Sequence, residues 1–160
     1  MSEILVRVAD AATAQGGTVL RTVGLGSCVA IVLHDAEARV GGLAHILLPS
    51  QSLSRDRENR AKFPGTAVPF LLEQMCALGA RAERVTAKIA GGASMFGTLL
   101  PSSTLQMGER NVLATREALE HAKIPLVAQE VGGDHGRSVY FHVNSGTVEV
   151  RSLSKGDVVL

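Results

Sequence analysis

Two residues in the first third of the chain have side chains suited to nucleophilic catalysis, Cys28 and His45. Each sits in an apolar run, Cys28–Leu33 and Val40–Leu48, and the polar stretch Asp35-Ala-Glu-Ala-Arg39 separates the two. Apolar, β-branched runs around a short polar link predict a β-hairpin. A turn centred between Ala36 and Glu37 sets Cys28 directly opposite His45, with β-carbons about 5 Å apart. A thiol beside an imidazole can pass it a proton and become a thiolate, which attacks carbonyl carbon. Gly24-Leu-Gly-Ser27 immediately precedes Cys28 and predicts a turn with uncovered backbone N–H groups. Gly26 and Ser27 are therefore the candidate donors to an oxyanion. A Cys–His pair also needs a group to orient the ring, and Thr22, ending the preceding predicted strand, offers a hydroxyl. Register decides the matter, because a slip of one residue moves His45 to the opposite face.

The same residues also admit a structural reading. A cysteine in an apolar strand is commonly a small core residue, and a histidine inside Leu43–Leu47 a satisfied core histidine. Ser27 is a rival nucleophile, but a hydroxyl ionises less readily than a thiol, and shaping the turn suits it better. Gly24-Leu-Gly26 matches part of a dinucleotide fingerprint, yet Val29 replaces the third glycine and a strand follows where a helix is required. Asp134, His135 and His142 are metal-ligand types, but a hairpin turn with one stray His is the commoner explanation. Cys76 follows Leu72 by four residues on an apolar stripe and is expected in the core. Ser94 reaches the site only if Gly91-Gly92 and Gly132-Gly133 converge.

The elements that would hold these groups are mostly short strands. Ile4–Val8 alternates as a strand, Ala9–Gly17 reads as a loop, and Thr18–Thr22 as a second strand before the glycine turn. From Ser50 to Lys62 there is no periodicity, and a mobile surface loop is expected. Thr66 caps a helix to about Leu78, with Pro69 in its first turn and Val68, Leu71, Leu72, Met75 and Cys76 on one stripe. Arg84–Ala90 predicts a strand and Gly108–Ala122 a second helix buried through Val112, Thr115, Leu119 and Ala122. Ile124–Val131, Val139–Val143 and Thr147–Leu153 complete seven or eight strands, the last two joined by Asn144-Ser-Gly146. The fold class is mixed α/β.

Composition fits such a fold. A chain of 160 residues predicts one domain over 1–160 that buries roughly 70% of its unfolded surface. Apolar residues make up 46% and charged residues 19%, which excludes a disordered chain. A net charge of +1 gives no field to attract nucleic acid or an acidic membrane. The longest apolar run is far short of the roughly 18 residues needed to cross a bilayer. The opening Met-Ser-Glu lacks a basic, apolar leader. Two cysteines without ligand spacing predict a reduced, cytoplasmic protein with no metal.

Thr22-Val-Gly-Leu-Gly-Ser-Cys28 followed by Ala44-His-Ile-Leu-Leu-Pro49 resembles the chemoreceptor glutamine deamidases of bacterial chemotaxis, the CheD family. The resemblance continues through Lys88–Phe96, Gly108-Glu-Arg-Asn111, Gly132-Gly133 and Gly136-Arg137, over about nine-tenths of the chain. It departs at Phe63, where members often carry Tyr, and at Pro69; neither touches the candidate triad. The resemblance implies a sandwich of mixed β-sheets flanked by helices, a fold shared with bacterial toxin deamidases. It places the catalytic residues at Cys28, His45 and Thr22.

The activity this implies is hydrolysis of glutamine side-chain amides in the cytoplasmic helices of chemoreceptors, through a Cys28 thioester and without any cofactor. The alternative is a non-catalytic module that docks and stimulates a CheC-type phosphatase. A further alternative is hydrolysis of receptor glutamyl methyl esters by the same thioester route. Arg55, Arg57, Arg60 and Lys62 outnumber Asp56 and Glu58 in the loop after the His45 strand, which suits an acidic receptor helix.

Overall fold

A computed structural model describes residues 2–94 and 106–160. Met95 and Phe96, the end of the Lys88–Phe96 match, lie outside the described residues. The described strands are β1 (Ser2–Leu5), β2 (Ala11–Gln15), β3 (Thr18–Leu25), β4 (Val29–Asp35), β5 (Val40–Ile46), β6 (Thr86–Gly91), β7 (Leu126–Val131), β8 (Arg137–His142), β9 (Val148–Arg151) and β10 (Val158–Val159). The two helices are α1 (Pro64–Ala77) and α2 (Met107–His121). The strands form two five-stranded sheets, ordered β1-β3-β8-β9-β10 and β2-β5-β4-β6-β7. Each sheet is mixed, with one parallel pair, β1 with β3 and β6 with β7. The expected sandwich of mixed sheets is therefore present, and the helices cover the outer face of the second sheet.

Side-chain alternation along β4 explains the layering. Val29, Ile31 and Leu33 face the helices and pack with Ala67, Leu71, Met75 and Leu119. Ala30 and Val32 face the first sheet and pack with Leu20, Val139 and Phe141. A strand buried on both faces has no polar side to show, so β4 reads as an unbroken apolar run. Two glycines let the layers meet across β5. A Cβ on Gly41 would lie 2.5 Å from the Phe141 ring, and one on Gly42 would lie 2.9 Å from Leu71.

Several elements differ from the sequence expectation. Ala11–Gln15 is strand β2, paired antiparallel with β5, where small residues predicted a loop. Its strand state comes from a tertiary partner and not from its own propensity. Strand β3 continues through an irregularity between Thr22 and Leu25, so the break begins at Gly26. Helix α1 starts at Pro64 behind Phe63, and Thr66 lies inside it, its hydroxyl donating to the Arg60 and Phe63 carbonyls. Pro64 fills the first-turn position expected of Pro69, and Pro69 lies within the helix on its exposed side. Cys76 is exposed, on the flank of the buried Val68-Leu71-Met75 stripe. The 50–62 segment carries two short 3-10 turns, Gln51–Leu53 and Arg60–Lys62. It is also tied down, with Asn59 donating to the Ala9 carbonyl and Leu47 N–H to the Lys62 carbonyl.

Candidate active site

His45 lies on β5 and is completely buried between the sheets. Its Nδ1 is 2.7 Å from Thr22 Oγ1, which is itself 2.6 Å from the Val6 carbonyl. A threonine hydroxyl has one hydrogen, and only donation satisfies a carbonyl, so that hydrogen goes to Val6. Thr22 therefore accepts from His45, which fixes the tautomer with hydrogen on Nδ1 and the lone pair on Nε2. That Nε2 is buried and has no hydrogen-bond partner. Burial pushes the imidazole down to about 4, because the charged ring loses its hydration between the sheets.

The hairpin register differs from the sequence expectation. Ala30, not Cys28, lies opposite His45. The connection spans four residues (36–39), because Asp35 still pairs with Val40 and its Oδ1 accepts the N–H groups of Glu37 and Ala38 at 3.1 and 3.2 Å. Recentring the turn by one residue shifts the register by two, and the side-chain period of two keeps His45 on the predicted face. Cys28 thus becomes the diagonal neighbour of His45, about 7 Å away along the sheet. Its side chain belongs to the cluster between the sheets, with Ala30 and Val32. No hydrogen bond joins Cys28 to His45 Nε2 in this resting geometry. Cys28 is 7% exposed, at the rim of the buried cluster. Burial pushes its thiol above the ordinary range, opposed in part by its own backbone N–H. Both partners are therefore neutral at neutral pH.

The turn before β4 is held by its carbonyls. The Gly26 carbonyl accepts from Ala93 N–H at 2.8 Å, and the Cys28 carbonyl accepts from Gly92 N–H at 2.8 Å. Between them the Ser27 carbonyl accepts from Asn111 Nδ2 at 2.9 Å. Among the described residues, the N–H groups of Gly26, Ser27 and Cys28 have no backbone acceptor. Three pinned carbonyls fix the backbone of this turn beside the sulfur, and its N–H groups are the candidate donors expected from the sequence. Glycine is required behind it. Gly91 has φ +111°, and a Cβ there would lie 2.3 Å from the Cys28 carbonyl oxygen. The glycine pairs do converge, through Gly132 N–H to the Gly91 carbonyl and Ser94 N–H to the Gly133 carbonyl. Ser94 is accordingly held near the turn by its backbone.

Two residues in this arrangement were not singled out as site residues by sequence reasoning. Arg137 is 3% exposed; it pairs with Glu130 and donates to the Gly132 carbonyl at 2.7 Å. Asn111 is completely buried on α2. A polar amide inside a helix that otherwise buries Val112, Thr115 and Leu119 was the available signal. Of the remaining candidates, His142 bonds Glu149 at 2.8 Å, and His135 packs against Gly133. A groove of about 680 Å3 between α1 and α2, lined by Pro49, Pro69 and Ala118, holds none of the candidate catalytic residues.

A buried thiol, an oriented imidazole and a turn of candidate donors on an α+β sandwich have the composition of a cysteine-dependent hydrolase. The chain belongs to the CheD family: the family model for CheD chemotactic sensory transduction matches residues 47–152. It is 43% identical over 156 residues to the "Probable chemoreceptor glutamine deamidase CheD" of Caldanaerobacter subterraneus subsp. tengcongensis, covering 97% of this chain and 96% of that protein. It is 46% identical to the "Probable chemoreceptor glutamine deamidase CheD 2" of Geobacter metallireducens, with 97% of each chain covered. The "Chemoreceptor glutamine deamidase CheD" of Halalkalibacterium halodurans is 38% identical, with 96% of each covered. Thr22, Cys28 and His45 precede the span that the family model matches and lie within the 97% of this chain shared with the Caldanaerobacter relative.

Proposed function

We propose that this protein hydrolyses the side-chain amide of glutamines in chemoreceptor cytoplasmic helices, with Cys28 as nucleophile and His45 as base. The reading rests on family membership and on one observation, the Thr22–His45 hydrogen bond that leaves Nε2 free, on the face it shares with the thiol. As Cys28 Sγ bonds the amide carbon, its proton passes to His45 Nε2. The carbonyl electrons move onto oxygen, where the N–H groups of Gly26, Ser27 and Cys28 receive them. The imidazolium then protonates the departing nitrogen, ammonia leaves, and a glutamyl thioester remains on Cys28. A water gives one proton to Nε2 and attacks the thioester; the thiolate leaves and recovers that proton. The product is glutamate, so each turnover converts a neutral receptor side chain to a carboxylate. No step uses a metal or an organic cofactor.

A neutral pair suits this sequence. The proton moves only when the substrate arrives, and a low-dielectric site strengthens the bonds from the candidate donors. The substrate class puts the site of action in the cytoplasm, and no described helix is long and apolar enough to cross a membrane. Purified receptor cytoplasmic fragments incubated with the protein and analysed by mass spectrometry test the proposal. Conversion of discrete glutamines to glutamates is expected, absent with Cys28→Ala. No conversion by the unaltered protein would overturn it. In that event, binding of a CheC-type phosphatase by both forms would instead support the docking module.

A further inference from the structure

The β4–β5 ladder ends at the pair Val29–Ile46. Beyond it the two chains part. The Leu47 N–H turns to the Lys62 carbonyl at 2.9 Å, while the Cys28 carbonyl turns to Gly92 N–H. Cys28 stands just outside the last pair and His45 just inside it, so their separation depends on how far the strands splay. At that point the Asn111 side chain enters from α2. Its single Nδ2 lies 2.9 Å from the Ser27 carbonyl and 3.1 Å from the Leu47 carbonyl. One amide thus bridges the residue before the nucleophile and the residue just past the strand that carries the proposed base.

Both partners are carbonyls, which only accept, so nitrogen must face them and the amide cannot be turned over. Its Oδ1 is then left buried and without a partner. An unpartnered buried acceptor is costly, and a leucine of similar size would avoid it. The amide is anchored from behind as well. Gly108, one helical turn earlier, lets α2 approach so closely that a Cβ there would lie 2.2 Å from the Ala93 carbonyl oxygen. Thr115 Oγ1 donates to the Asn111 carbonyl at 2.7 Å. Of the three bonds that pin the 26–28 carbonyls, two come from backbone and one from this side chain. Of the three, it is the one whose donor group also bonds the chain leaving the His45 strand, at Leu47.

We infer that Asn111 is a positioning residue for the deamidation, fixing the splay of the two chains on which the separation of Cys28 Sγ from His45 Nε2 depends. The inference rests on the proposed Cys28–His45 chemistry. It predicts that the two donors matter for catalysis more than for folding, since Ser27 and Leu47 lie near the surface end of the ladder. A displacement of about 1 Å between nucleophile and base is enough to cost about a hundredfold in rate.

The test replaces Asn111 with Leu, which keeps the volume, and with Asp, which keeps the shape but loses the donors. Both should melt cooperatively and bind receptor fragments with KM within about twofold, while kcat falls about tenfold or more. The same variants are then made in the His45→Ala background and the alkylation rate of Cys28 by iodoacetamide is measured across pH. If Asn111 acts through the pair, its loss slows alkylation when His45 is present and changes it less than about twofold when His45 is absent. Equal slowing in both backgrounds, an unchanged kcat, or loss of a cooperative melt in both variants would overturn the inference. Alkylation needs no receptor, so a protein that fails to deamidate would sink the proposed function while this comparison still reports on Asn111.

Discussion

Thr22 and His45 lie on strands of different sheets, and their side chains meet across the sandwich at 2.7 Å. The contact does two jobs. It joins the layers at a point surrounded by apolar side chains, and it selects which ring nitrogen can act as a base.

Thr22→Val keeps the shape but removes the acceptor of the His45 Nδ1 hydrogen and the donor to the Val6 carbonyl. The free ring can then rotate or change tautomer. We expect kcat for deamidation to fall by about a hundredfold, within the usual range for a disturbed general base. Two buried groups without partners should also cost about 2 kcal/mol of stability, read from denaturant melts. Thr22→Ser keeps the hydroxyl and should retain most of the activity. Wild-type rates in the valine variant would remove Thr22 from the mechanism.

The acid limb of kcat/KM should fall near pH 4, following His45, and not near the ordinary imidazole value of about 6.5. Stability follows the same group with a definite sign. The folded ring holds its proton less well than the unfolded ring, so falling pH between about 6.5 and 4 favours unfolding. The loss over that window is on the order of 3 kcal/mol, and it levels off below it. The difference between wild type and His45→Gln, melted at a series of pH values, isolates this contribution from the carboxylates. A flat difference would mean that His45 is not held neutral.

Arg137 ties Glu130 to the carbonyls of the glycine turns behind Cys28. Arg137→Met leaves Glu130 without its buried partner and should lower stability by about 3 kcal/mol. Because Gly91 and Gly92 carry the Cys28 backbone, activity should fall more than the folded fraction does. Melting and kcat measured on the same sample distinguish the two effects.

The four basic residues of the 50–62 loop are not of equal standing: Arg60 is ion-paired, while Arg55 and Arg57 pair with no carboxylate among the described residues. Arg60 is engaged by Glu73 at 2.6 Å, and its guanidinium lies 5.0 Å from the centre of the Phe70 ring. Arg55 and Arg57 are exposed. Arg55→Glu with Arg57→Glu should raise KM for an acidic receptor fragment, leave a short uncharged glutamine peptide unaffected, and matter less as salt rises. An equal loss on both substrates would place the loop in the site itself.

The shared face of the candidate pair is legible in the sequence, because a period of two is forgiving. The hairpin turn was misplaced by one residue, and the resulting shift of two kept His45 and Cys28 on one face. The Asp35 side chain, an Asx-turn former that caps Glu37 and Ala38, was the local signal for the correct turn. Strand β2 was not legible, since Ala11–Gln15 is strand only by virtue of its β5 partner. Nor was Cys76 correctly placed, because the buried stripe of α1 passes one residue to the side, through Met75. Asn111 bonds backbone carbonyls distant in sequence, and Arg137 bonds the carbonyl of a glycine turn; carbonyl partners carry no side-chain signal to read.

The central claim is that a glutamine carbonyl becomes bonded to Cys28. Quenching the enzyme in acid during turnover on a receptor fragment and mapping the modified peptide by mass spectrometry tests it directly. The account predicts a thioester on the Cys28 peptide, lost on hydroxylamine treatment and absent with Cys28→Ala, while exposed Cys76 stays unmodified. An adduct elsewhere, or full turnover by Cys28→Ala, would contradict it.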